Sequence, residues 1–134
     1  MNIIVVIVLL LAAHFSLTAF VPSPAGQAQF YWPWAADMRP VVSGIGALPQ
    51  AGGGIVTPAL AGIAGLCLLA AAASLLNIAV PADWWMPLVI VGALASTVLF
   101  VLYLSPLALL PIALNLFLLW GVVLQHWTVA GLRG

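Results

Sequence analysis

The chain's 134 residues are 66% hydrophobic and 3% charged, with neither Lys nor Glu. A soluble domain usually carries about a quarter charged residues, so Asp37, Arg39, Asp83 and Arg133 cannot supply a water-facing surface, and the bilayer is predicted as the main solvent. A formal net charge of zero excludes a basic nucleic-acid footprint and a polybasic lipid-binding arm, and the single Cys67 excludes an internal disulfide or a cysteine-cluster metal site.

Residues 3–21 form the first apolar run, about 28 Å long as a helix and enough to span. Met1-Asn2 lacks the Lys or Arg of a secretory n-region. Small residues follow at Ala25-Gly26-Gln27-Ala28, but the expectation is an uncleaved span. Beyond it, Ser23-Pro24, Thr57-Pro58 and Ser105-Pro106 each set a capping hydroxyl before a proline suited to the first helical position. Asp83 is a further candidate cap, with Trp84 and Trp85 behind it. These signals divide the chain into spans at approximately 3–21, 58–80, 84–104 and 106–127. The last two are joined by little more than Ser105-Pro106, which predicts a tight antiparallel hairpin. Pro111 falls inside the fourth span and is expected to bend it.

The connection 22–54 is the only long one. Its QFYWPW stretch holds Phe30, Tyr31, Trp32 and Trp34, and Asp37 and Arg39 follow. Trp and Tyr favour the headgroup region, so this stretch is expected to lie against one membrane face, with Asp37 and Arg39 turned outward. A partner's docking platform is the alternative. Val41, Ile45 and Leu48 suggest a short helix with one apolar face, and Gly52-Gly53-Gly54 gives slack before the second span. The predicted fold is thus an all-α integral membrane protein, one domain over residues 1–134. Four transmembrane helices form an antiparallel bundle, with an interfacial loop containing a short helix between the first two. A nearly tied count of positive charges leans toward cytoplasmic termini.

Small residues recur at helical spacing in the second and third spans: Ala61, Gly62 and Gly65, then Gly92 and Ser96. Lipid provides no hydrophobic drive between helices, so such residues act by letting backbones approach. Close contact between these two spans is expected. At about 1.5 Å rise per residue from the end bearing the termini, His14, Ser96 and Asn115 lie about 16, 18 and 18 Å deep, and Cys67 about 20 Å. One reading of this layer is interhelical hydrogen bonding, with Asn115 paired to His14 and with Ser96 and Thr97 bonded back to their own helix. The sharper reading is a cofactor pocket in which His14, with Asn115 near, holds a quinone oxygen or the metal of a haem or chlorophyll. His126, beside Gln125 and Trp127, reads as an interfacial anchor.

Proton-coupled transport normally uses an intramembrane carboxylate, and the spans contain none. No G-x-S-x-G nucleophile motif, phosphate-binding glycine loop or metal-ligand pair occurs. The order of one span, a long connection and three closely spaced spans resembles the layout of small four-helix DoxX-like membrane proteins. It assigns no residue a role. Two functions follow: a non-catalytic accessory, structural or assembly subunit of a larger membrane complex, or a quinone- or tetrapyrrole-binding subunit using His14. A small-solute channel or transporter comes third. The implied partners are the lipid bilayer and either other membrane proteins or further copies of the chain, with no nucleic acid.

Overall fold

The computed structural model describes residues 2–17, 56–102 and 108–134, and every regular element in them is helical. Helix α1 covers Ile3–Leu17 and α2 covers Val56–Leu75; a 3-10 turn at Ala82–Trp84 leads directly into α3, Trp85–Leu102. Helix α4, Leu109–Leu119, continues as a π-helical turn over Trp120–Leu124, and a short α5 spans Val129–Arg133. The all-α class therefore holds among the described residues.

Local chemistry sets the helix ends and moves several of them from their predicted places. Helix α2 stops at Leu75, short of the predicted 80, because Asn77 adopts a left-handed conformation with φ of 61°. The Asn77 amide then donates to the Ser74 carbonyl and the Ile78 amide to the Ala73 carbonyl. That pair of bonds is the Schellman arrangement, in which Asn is one of the few residues to tolerate the left-handed position. Asp83 does not cap the next helix. Pro81 occupies the capping position with extended backbone, and Asp83 lies in the first turn, where its charge complements the positive helix end. Pro111 does not bend α4 from within. The helix starts at Leu109, so Pro111 falls in the first turn, where its missing N–H would have had no intrahelical acceptor. The π turn draws the Gln125 amide onto the Trp120 carbonyl, and His126 reverses the chain with φ of 50°. Thr128 then caps α5 by accepting from the Gly131 amide at 3.1 Å.

Contacts between the ends establish that the helices alternate in direction. At one end the Asn2 amide donates to the Leu132 carbonyl, and Arg133 reaches the carbonyls of Ser74 and Leu75 at the end of α2. Trp85, at the start of α3, shares a core with Val122 and Val129 at the same end. At the other end Phe15 of α1, Ala61 of α2, Phe100 of α3 and Ala108 just before α4 pack together. Helix α2 packs on both α1 and α3, α3 also on α4, and α4 closes the ring against α1. Up-down alternation lets each helix meet its neighbours along its length, as in short-looped helical bundles.

One described helix, Ala82–Leu102, is long and apolar enough to cross a membrane; Ile3–Leu17, Ala59–Leu75 and Leu109–Leu124 are apolar but shorter. The predicted ends at 18–21 and 103–104, the hairpin at Ser105-Pro106 and the loop at 22–54 lie outside the described residues.

Candidate functional site

Three of the four buried polar side chains, Ser16, Ser96 and Asn115, come together inside the bundle, while Ser74 lies apart at the end of α2 with its hydroxyl on the Pro81 carbonyl at 3.1 Å. Asn115 of α4 donates from Nδ2 to Ser96 Oγ of α3 at 2.7 Å. Ser96 Oγ lies 2.8 Å from Ser16 Oγ of α1, and Ser16 Oγ donates to the Ala12 carbonyl at 2.9 Å. Because Ser16 spends its only proton on Ala12, Ser96 must be the donor between the two serines. The result is a chain of bonds with one direction, from Asn115 through Ser96 and Ser16 to Ala12, lacing α4, α3 and α1. All three side chains have no exposed surface. The chain begins with an unmet demand, since Asn115 Oδ1 is buried without a hydrogen-bond partner. Thr97 bonds back to the Ala93 carbonyl at 2.7 Å, the local pairing expected of a helical threonine.

His14 does not belong to this layer. Its side chain is exposed, continuing the outward row of Ile3, Ile7 and Leu10. Ser16, two residues on and about 200° around the helix, turns inward in its place. His14 and Asn115 are therefore not brought together, and the expected bond between them does not form. The His14 ring meets its neighbour Phe15 with centroids 5.9 Å apart. Cys67 is partly buried on α2.

The small residues mark close approaches. A Cβ on Gly92 would lie 2.8 Å from Leu68 Cγ and 3.1 Å from Cys67 Cβ, so α3 meets α2 through this glycine. Gly65 faces α1 instead, where a Cβ would run into the Leu17 side chain. Ala61 is buried in the second core cluster and Gly62 is partly buried beside it. Of the proposed interfacial residues, Phe30, Tyr31, Trp32, Trp34, Asp37 and Arg39 all lie outside the described residues.

The end of the bundle that gathers the chain termini holds a second set of polar and aromatic groups. Arg133 donates from Nε to the Leu75 carbonyl at 3.0 Å and from a terminal nitrogen to the Ser74 carbonyl at 2.5 Å. The guanidinium thus occupies the negative end of the α2 dipole, where it partners the Leu75 carbonyl and adds a second bond to the Ser74 carbonyl that already accepts from the Asn77 amide. Nothing in the spacing of the sequence pairs Arg133 with residues 58 positions earlier. Trp127 packs edge-on against Phe117 and Trp120, with centroids 5.4 and 6.0 Å away. His126, expected to anchor the end of the fourth span, is an exposed residue of the turn that brings Trp127 into place.

Among the described residues no group of three or more His, Cys, Asp or Glu side chains comes together. No family model, curated protein or solved structure matches the chain.

Proposed function

We propose that the chain is a polytopic membrane protein of four spans, serving as a non-catalytic accessory, structural or assembly subunit of a larger membrane complex. One observation carries this reading, the inversion of polarity between the inside and the outside of the bundle. Large apolar side chains point outward from all four main helices: Ile4 is 62% exposed, Leu66 67%, Leu94 50% and Leu116 53%. The buried polar side chains, Ser16, Ser74, Ser96 and Asn115, have no exposed surface. Outward apolar area on this scale calls for lipid or for other helices. Inside, small and hydroxyl residues permit close contact and interhelical bonds. In this reading the outward faces meet lipid on some sides and partner helices on others.

A second reading is favoured by the position of His14. An imidazole in an outward row of Ile and Leu is poorly solvated in lipid, and a partner that accepted its proton or its lone pair would relieve that cost. A quinone, or the metal of a haem or chlorophyll held between this chain and a neighbouring subunit, would do so.

Purification of the full chain in mild detergent, followed by native mass spectrometry and a visible absorption spectrum, separates these readings. A stable set of partner chains supports the subunit role. A bound chromophore or extractable quinone that His14→Leu removes supports the second. A lone monomer without ligand refutes both. Release of the protein from membranes by a carbonate wash refutes the membrane assignment itself.

A further inference from the structure

Helix α1 turns one polar side chain outward within an apolar row. Ile3, Ile7, Leu10 and His14 follow one another at steps of four, three and four residues, which sets them within about 60° of one another around the helix. All four are exposed. The row has the spacing of a coiled-coil seam: Ile7 and His14 take one of the two alternating inner positions, Ile3 and Leu10 the other. The outward row of α3, Val91, Leu94 and Val98, is apolar throughout, and lipid alone satisfies it. His14 is different, because its contact with the Phe15 ring leaves both of its own ring nitrogens open. An unpaired imidazole facing lipid is costly. At one inner position of a helical seam, by contrast, a polar side chain fixes register and the number of strands.

We infer that this row is the contact between two copies of the chain, which pair through parallel α1 helices with His14 against the second copy's His14. The inference rests on the membrane assignment proposed above and names a partner that the subunit reading leaves open. Copies inserted in one membrane share an orientation, so a two-fold axis along the membrane normal brings equivalent residues to equal depth. Neutral imidazole carries one N–H and one bare nitrogen, which makes it its own complement: one ring donates and the other accepts. A second copy therefore supplies the matching group at the matching depth, whereas an unrelated helix would need a polar residue placed there independently. No pairing within one chain does this. Asn115 is turned into the bundle, and His126 sits in the turn before α5, at the end where α1 begins. Isoleucine at the position His14 shares, alternating with leucine at the other, also suits a two-stranded contact.

The test uses the full chain in phosphatidylcholine vesicles, with copies carrying donor or acceptor dyes at the amino terminus and energy transfer followed as lipid dilutes them. Association of two copies is expected. His14→Leu should weaken it about 3- to 20-fold, the scale of one interhelical bond. His14→Asn, which also donates and accepts, should hold it within about twofold of the parent. Both variants should keep the parent's circular dichroism, because His14 is exposed. The face is read separately: in a Cys67→Ala background, oxidation should cross-link copies through Ile7→Cys and not through Leu66→Cys on the outward side of α2. Copies that disperse, an association unchanged by His14→Leu, or a cross-link through Leu66→Cys in place of Ile7→Cys overturns the inference. So does a bound chromophore or quinone that leaves with His14→Leu, since the imidazole then has another partner. Native mass spectrometry of the extracted protein keeps the proposals separable. A stable set of different chains holding a single copy of this one refutes the pairing alone, whereas release by a carbonate wash refutes the membrane assignment.

Discussion

Replacing Ser96 and Asn115 should have opposite consequences, although the two side chains share a hydrogen bond. Ser96→Ala removes the bond from Asn115 and the bond to Ser16. Each is worth about 0.6–1.7 kcal/mol in a membrane helix bundle. It also leaves the buried Asn115 amide with no partner at either end, a further cost of about 1–3 kcal/mol. Ser16 is spared, since it keeps its bond to the Ala12 carbonyl. The total is a loss of about 2–6 kcal/mol. Asn115→Leu, of similar size, loses only the single bond to Ser96. It also relieves the unpartnered Oδ1, recovering about 1–3 kcal/mol. Its net effect runs from about 1 kcal/mol destabilising to about 2 kcal/mol stabilising. The double variant should be more stable than Ser96→Ala alone, because the stranded amide has gone. Denaturant unfolding of the purified chain in mild detergent, followed by circular dichroism, measures all three differences, and the cycle isolates the coupling between the two sites. If Asn115→Leu proves as damaging as Ser96→Ala, or the second substitution rescues nothing, the directional bond chain is wrong.

Three other substitutions test the ends of the helices. Gly121→Ala places a methyl group into the Trp127 ring. It should cost about 1–3 kcal/mol as an overpacked contact and shift the tryptophan emission, so an unchanged spectrum at full stability would count against the packed ring. Arg133→Met keeps the aliphatic stem but uncaps the end of α2, and should cost about 1 kcal/mol. Hydrogen exchange should then quicken selectively at residues 72–76. Ala79→Gly should stabilise the chain by about 1 kcal/mol, because Ala79 holds φ of 57°, a left-handed conformation that costs an L-residue about 1–2 kcal/mol. A lower unfolding midpoint would refute that account.

Depth along the helices was legible in the sequence, and azimuth was only partly so. Equal depths for Ser96 and Asn115 follow from the helical rise, and the two side chains meet. The same ruler puts His14 in that layer, because rise carries no information about which way a side chain faces. The missing signal lies in side-chain size. Ala12, Ala13 and Ser16 make one side of α1 small, while Ile3, Ile7, Leu10 and His14 make the other side bulky. Small faces meet neighbouring helices in apolar surroundings, so Ser16 could have been read as the inward polar residue. Of the Ser/Thr-Pro boundaries only Thr57-Pro58 falls among the described residues, and there the helix begins at Val56, which puts Thr57 inside the first turn and not at the cap. The roles of the prolines depend on where each helix begins. Pro111 is harmless once the helix starts at Leu109, and Pro81, rather than Asp83, precedes the 3-10 turn. The pairing of Arg133 with the end of α2 and the stacking of Trp127 on Gly121 were not legible. Each depends on a chain reversal set by a non-glycine residue with positive φ, which no hydropathy pattern announces.

The cap that Arg133 places on α2 also imposes an order on the assembly of the chain. The Ser74 carbonyl has the Asn77 amide from the start, but the Leu75 carbonyl waits for a side chain 58 positions downstream, whereas α2 and α3 can pair through Gly92 as soon as both have been made. A growing chain can therefore form the α2–α3 hairpin early, with the Asn77 turn closing the end of α2, but the Leu75 carbonyl gains its protein partner only when the segment after α4 folds back. Completion of that end reports that all the helices before it are in place.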